Sequence, residues 1–258
     1  MIQHQIHNSQ GNYTYNAFVY RDRSYADHFH KNFELIYVKE GEAIITVDRA
    51  PVDLKEGELL LLSPYRVHSF SVEGETCIWV GVFSGDFVQS FAAKYGGASF
   101  SKFRADRETE QFLLSHLFYQ GVPEHYVTKA CLYLVCDACL REATLLEPPA
   151  TQGFRSRVVA HLSERLPEEL TMRAAAAALG YEYHYFSKLF HDTFSLNFKE
   201  FVNILRFEQA CRLLEEEGIT VTEISTRCGF GSIRNFNRIF RTMSGQTPSE
   251  YRSMFART

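Results

Sequence analysis

Two groups of side chains have the types and spacing to do chemistry. The first is His28, His30 and Glu34, with His68 further along. On an extended strand, residues two apart share a side, so His28 and His30 point together and Glu34 keeps their parity. Three imidazoles and a carboxylate make a donor set for a divalent cation. The same side chains can instead line a pocket for a small molecule. The second group is Ser232, Ile233, Arg234, Asn237, Arg238 and Arg241. At helical spacing they lie away from Phe236, Ile239 and Phe240. Arg234 and Arg238 suit guanine or phosphate, Asn237 a base edge or phosphate, and Ile233 a thymine methyl. Such a face fits a helix lying in a DNA major groove.

The second group needs a scaffold, and its neighbours supply one. A helix beginning near Thr222 places Ile224 and Cys228 inward. Gly229-Phe230-Gly231 stops it, and Ser232 can cap the next helix. A looser version comes earlier. Thr171 can cap an alanine-rich helix, Gly180-Tyr181 turns, and a helix over 183–193 buries Phe186, Leu189 and Phe190. That helix shows Tyr183, His184, Ser187, Lys188 and His191 outward. Residues 197–217 read as one connecting helix of about 30 Å. A rod of that length suits two recognition helices in successive major grooves, about 34 Å apart.

Cys228-Gly-Phe-Gly-Ser232, the Arg-Ile-Phe-Arg run at 238–241, Gly245 and the TPSEYR segment at 247–252 resemble the second DNA-binding motif of AraC-family bacterial transcription regulators. The resemblance implies two helix-turn-helix motifs, here about 171–194 and 221–243. It also implies an N-terminal sensing domain, a helix-pair dimer interface and, in many members, a sugar effector. The first motif departs from the family pattern at two places. Glu182 replaces the usual capping residue, which predicts a less well held helix start, and Ser195 replaces a turn glycine.

The first group sits among short β-rich runs at 33–38, 43–47, 59–62, 67–72 and 76–83, divided by turn residues, with an early strand or arm over 12–24. Many short strands with frequent turns predict a sandwich or barrel. His28, His30, Glu34 and Gly41 resemble the first motif of the cupin barrels. Gly57, Pro64 and His68 resemble the second, with a shifted spacing. We therefore expect an α+β multidomain chain: a cupin-like β-barrel with a following helix pair over residues 1–147, a linker at 148–153 marked by two prolines and a glycine, and an all-α DNA-binding domain over 154–258. Tyr37 and Trp79 join the four polar residues in the expected ligand pocket, because an aromatic face with a few polar groups can hold a sugar ring.

Composition fits this division. Residues 1–152 hold 13 Lys+Arg against 19 Asp+Glu, and residues 153–258 hold 14 against 12. The second half is therefore the more basic, although the whole chain of 258 residues carries −4. No apolar run reaches the eighteen or so residues of a membrane helix, and no signal-peptide pattern opens the chain, so a cytoplasmic protein is expected. Six cysteines, including a lone Cys136-x-x-Cys139, read as reduced, buried thiols. The resulting expectation is a non-enzymatic transcription regulator with no required cofactor. Its expected partners are promoter DNA, a small-molecule effector, a second copy of itself and, for an activator, RNA polymerase. The alternatives are a divalent metal held by His28, His30, Glu34 and His68 in a metal-sensing regulator, or a metal-dependent cupin enzyme.

Overall fold

The computed structural model describes residues 3–4, 14–72, 74–119, 121, 124–146 and 153–255. The chain divides into two compact units, residues 1–153 and 154–258. The expected linker residues 148–152 lie outside the described residues.

Among the described residues the first unit holds nine strands: β1 (Gln3–His4), β2 (Tyr15–Arg21), β3 (Tyr25–Phe29), β4 (Phe33–Glu40), β5 (Glu42–Val47), β6 (Ala50–Lys55), β7 (Leu59–Leu62), β8 (His68–Val72) and β9 (Cys77–Phe83). They form a five-stranded sheet, β1-β3-β8-β5-β6, and a four-stranded sheet, β2-β9-β4-β7. Ile36, Val38, Leu60, Leu62, Val80 and Val82 of one sheet meet Ala43, Ile45, Leu54 and Phe70 of the other in a shared interior. Among the described residues the two hydrogen-bond ladders do not join into one closed barrel. β6 was not foreseen, because Pro51 reads as a turn. Among the described residues it pairs only with β5, and an edge strand tolerates a missing donor.

β4 is covered on both faces from Phe33 to Val38. Glu34, Ile36 and Val38 turn into the interior, whereas Phe33, Leu35 and Tyr37 turn outward. Outward here means under helices: α1 (Gln89–Tyr95), α2 (Arg107–His116) and α3 (His125–Glu142). Leu113, Cys131, Leu132, Val135, Cys136 and Cys139 complete that second core. The lone CxxC is thus packing. Burial pushes the Cys139 thiol up to about 12 and Cys136 higher still.

The second unit is all helix: α4 (Phe154–Glu164), α5 (Met172–Ala178), α6 (Tyr183–Phe194), α7 (Phe198–Leu214), α8 (Val221–Arg227), α9 (Ile233–Ser244) and α10 (Pro248–Phe255). The connecting helix α7 has 17 residues and so spans about 25 Å. It is shorter than expected because it stops at Leu214, ahead of Glu215, Glu216, Glu217 and Gly218 (φ 81°). α7 serves both motifs. Phe198 and Phe201 pack on Phe190 of α6, and Phe207 packs on Phe240 of α9.

Candidate functional site

α9 is fixed at both ends. The Ser232 hydroxyl accepts from the Asn235 N–H at 3.2 Å, and Gly245 closes the helix in the left-handed region (φ 74°). The turn before it depends on Gly229 (φ 76°), where an added Cβ would lie 1.9 Å from the Leu166 carbonyl oxygen. Only glycine permits that approach. Arg206 of α7 donates from Nε to the same carbonyl (3.2 Å) and from Nη2 to the Glu168 carbonyl (2.9 Å), holding the loop that the turn meets.

Phe236, Ile239 and Phe240 are buried, whereas Ser232, Ile233, Arg234, Asn237, Arg238 and Arg241 are all exposed. With about 100° per residue, Ile233 to Arg241 cover an arc of roughly 140°. Asn235 orders this face, a role missed in the sequence. Its Nδ2 donates to the Phe230 carbonyl (2.9 Å), and its Oδ1 accepts from Arg238 Nη2 (2.9 Å). The i,i+3 spacing to an arginine was the available signal.

α6 repeats the arrangement 50 residues earlier. Tyr183, His184, Ser187 and Lys188 occupy the places of Ile233, Arg234, Asn237 and Arg238, and His191 that of Arg241. His184, Lys188 and His191 are exposed, and Tyr183 and Ser187 are half-buried. The start of α6 is better held than expected. Glu182 Oε2 accepts from the Tyr185 N–H at 3.0 Å, so the longer side chain still caps. Its carboxyl is held below the usual range by backbone N–H groups, that of His184 first. Ser195 does stand where glycine is favoured, at φ 54°.

A groove of about 750 Å³ lies beside the start of α9, bounded by α7, α8 and the loop at 167–170. Lys199, Asn203, Thr222 and Thr226 line it together with Ser232 and Arg238. Thr222 and Thr226 stand i,i+4 on α8, ahead of the recognition helix.

In the first unit the structure brings His28, His30, Glu34 and His68 together. His28 and His68 are directly opposite on β3 and β8, Glu34 comes from β4 in the facing sheet, and His30 lies on the crossover between them. All four are buried, and one donor atom from each lies within 4.8 Å of the others. His30 Nε2 is 2.8 Å from Glu34 Oε2, and His68 Nε2 is 3.2 Å from Glu34 Oε1 without hydrogen-bond geometry. Burial pushes the His28 imidazolium down to about 3, with His68 adding to it. Burial likewise lowers His30. For Glu34, burial is outweighed by His68 and His30, which hold its carboxyl well below the usual range. For His68, burial is outweighed by the Glu34 carboxylate, and its pKa is raised.

Tyr37 and Trp79 do not join this cluster. They face each other's register across β4 and β9 on the helix-covered side. The Tyr37 hydroxyl donates to Glu110 Oε1 (2.8 Å), and Trp79 Nε1 donates to the Tyr119 carbonyl (3.0 Å). Tyr37 differs from Glu34 by an odd number of positions, so strand alternation sends it the other way. The aromatic rings beside the histidines are instead Tyr20, Tyr25 and Phe70, and the space left there is only about 10 Å³.

A family model described as an AraC-like ligand binding domain matches residues 14–126, and one described as a helix-turn-helix domain matches 175–254. The Msm operon regulatory protein of Streptococcus mutans is 23% identical over 248 residues, covering 90% of this chain and 88% of that protein. The HTH-type transcriptional activator RhaS of Salmonella paratyphi A is 21% identical over 247 residues, covering 89% and 88%. Among solved structures, unsaturated fatty acid-bound ToxT from Vibrio cholerae aligns with a TM-score of 0.52 at 13% identity, over 95% of this chain and 96% of that one. At that identity the likeness speaks to fold alone. With a ligand-binding domain matched ahead of a helix-turn-helix domain, and with α6 and α9 presented on paired motifs, the chain belongs to the AraC family of DNA-binding transcription regulators.

Proposed function

We propose that the chain reads one asymmetric promoter site with both recognition helices, and that α9 supplies most of the discrimination. The exposed face of α9 carries this proposal: three arginines and an asparagine on one arc, with Arg238 braced by Asn235. Arg234 and Arg238 contact guanine or phosphate, Asn237 a base edge or phosphate, and Ile233 a thymine methyl. Ser232 and Arg241 flank them on the backbone. Tyr183, His184, Ser187 and Lys188 do the corresponding work from α6. In vitro selection from genomic fragments with the full chain, followed by anisotropy titration, tests this. The expected result is a defined site with two recognised segments about one helical turn apart. Equal affinity for selected and scrambled fragments would remove the proposal.

A small molecule bound by the first unit sets DNA occupancy, with a sugar or sugar derivative as the first class to test. Such a ligand needs more room than the space beside His28 and Glu34. A groove of about 450 Å³ lined by Val52, Leu60, Ser63, Arg66, Ser99 and Leu146 has that room. Two copies of the chain pair through the helices that follow the sheets. Exposed Tyr133, Leu134 and Leu140 on α3, with Phe112 and Leu114 on α2, are the apolar surface that supports this. As an activator it would also touch RNA polymerase, and its place of action is the cytoplasm. A thermal-shift screen of sugars on the full chain tests the effector class. Trp79 then reports packing between sheet and helices, because its indole is held by the Tyr119 carbonyl away from the interior between the sheets.

A further inference from the structure

We propose that His28, His30, Glu34 and His68 form a buried site for one divalent transition-metal cation, best matched to zinc, that clamps the two sheets of the first unit. This goes beyond the regulator proposal and stands apart from the identity of any organic effector.

The hydrogen atoms on the rings carry the inference. His28 Nδ1 lies 2.9 Å from the Ala26 carbonyl, His30 Nδ1 3.1 Å from that of Asn32, and His68 Nδ1 2.8 Å from that of Arg66. A carbonyl oxygen can only accept, so each Nδ1 carries a hydrogen and donates. In the neutral ring the remaining nitrogen, Nε2, then presents a lone pair. At His30 that lone pair faces Glu34 Oε2 at 2.8 Å, itself an acceptor. At His68, Nε2 stands 3.2 Å from Glu34 Oε1, and both atoms are buried without a hydrogen-bond partner. Electron-pair donors converge here with too few hydrogens between them. A proton relieves one such pair, whereas a divalent cation accepts from all four groups. The three carbonyls act as the outer partners that metal-bound imidazoles use to fix tautomer and orientation.

The donor set and the space agree. Three imidazole nitrogens and one carboxylate oxygen suit a tetrahedral zinc, whose ligands lie roughly 2.0–2.2 Å from the ion. The present donor separations, up to 4.8 Å, close around such an ion by small side-chain shifts. The space of about 10 Å³ alongside matches roughly one water. It leaves no seat for an organic substrate, which argues for a closed, structural or sensing site over a catalytic one. His28 and His68 belong to one sheet and Glu34 to the other, so the ion joins the two sheets at the edge of the apolar interior they share.

The test uses untagged full chain, stripped with chelator and titrated with cobalt(II) and zinc chloride separately. We expect one equivalent of cobalt with visible ligand-field bands of a low-symmetry site, displaced by zinc. Thermal unfolding should shift up by roughly 5–10 °C when zinc is a hundredfold above its Kd. His28→Gln and Glu34→Gln should lose the bands while keeping the far-ultraviolet dichroism of folded protein, and His161→Gln should keep them. Stripped, folded wild type that takes up neither ion at 100-fold excess would overturn the site. Bands that persist unchanged in both folded variants would overturn it as well. Operator anisotropy on the same samples separates this outcome from failure of the regulator proposal, because DNA binding and metal uptake are read independently.

Discussion

The two recognition helices share one scaffold and differ in chemistry. Both have 12 residues, both follow a glycine in the left-handed region, and both bury phenylalanines against α7. Yet α9 shows isoleucine, arginine, asparagine, arginine and arginine where α6 shows tyrosine, histidine, serine, lysine and histidine. The scaffold fixes where a side chain stands; the residue type decides whether it reads bases bidentately or merely supplies charge. The supports differ too. α9 has a hydroxyl cap and a glycine stop, whereas α6 has a carboxylate cap and a serine stop.

The largest difference is hidden in the turns. Gly180 and Gly229 have nearly equal φ, 78° and 76°. An added Cβ meets nothing within 4 Å at Gly180 and meets the Leu166 carbonyl at 1.9 Å at Gly229. Gly180→Ala should therefore cost only the left-handed backbone penalty, about 1–2 kcal/mol. Gly229→Ala should exceed about 3 kcal/mol, since it adds a backbone clash to the same penalty. Denaturant unfolding of the second unit's helical signal measures both. Equal losses would mean that the α4–α5 loop yields freely, and the Arg206 bonds to Leu166 and Glu168 would not be fixing it.

Next in size is the contrast in DNA affinity. Arg238→Ala should weaken operator binding by about 1–3 kcal/mol, the range for a bidentate base contact. Lys188→Ala should cost less and act evenly across sequences, flattening the slope of log affinity against log salt by roughly one. Asn235→Ala sharpens the point. If the brace from Phe230 through Asn235 orients Arg238, its loss should reproduce part of the Arg238→Ala defect without removing any charge. An operator affinity for Asn235→Ala equal to wild type would reduce that network to a surface contact.

How far the sequence could be read follows the same division. The second unit was legible because helical period, cap and glycine turn agree at each motif, and the exposed arc of α9 follows from spacing alone. Asn235 was not, because it sits between the two faces and its use depends on a backbone carbonyl that spacing does not reveal. In the first unit the histidine–glutamate cluster was visible through strand parity. Tyr37 and Trp79 were drawn into it because both faces of β4 and β9 are buried and carry large apolar side chains, so composition did not say which side was interior. β6 was lost to Pro51, whose tolerance depends on the strand lying at an edge.

The smallest effect tests whether α6 is only a weaker copy of α9 or is strained as well. Ser195 ends α6 at φ 54°, where Gly245 ends α9 at φ 74°. A non-glycine residue there carries a backbone penalty of about 1 kcal/mol, partly offset because glycine also loosens the unfolded chain. Ser195→Gly should then stabilise the second unit by roughly 0.5–1 kcal/mol, and Gly245→Ser should destabilise it by a similar amount. A symmetric pair of shifts in unfolding midpoint would mean that the two stops are equivalent and that residue type alone separates the helices. If Ser195→Gly instead destabilises, the serine is holding the segment into Asn197, whose side chain caps α7 by accepting from the Glu200 N–H at 2.9 Å. The first motif would then be adapted to its junction with α7, which the second, followed by the Thr247–Glu250 cap of α10, does not share.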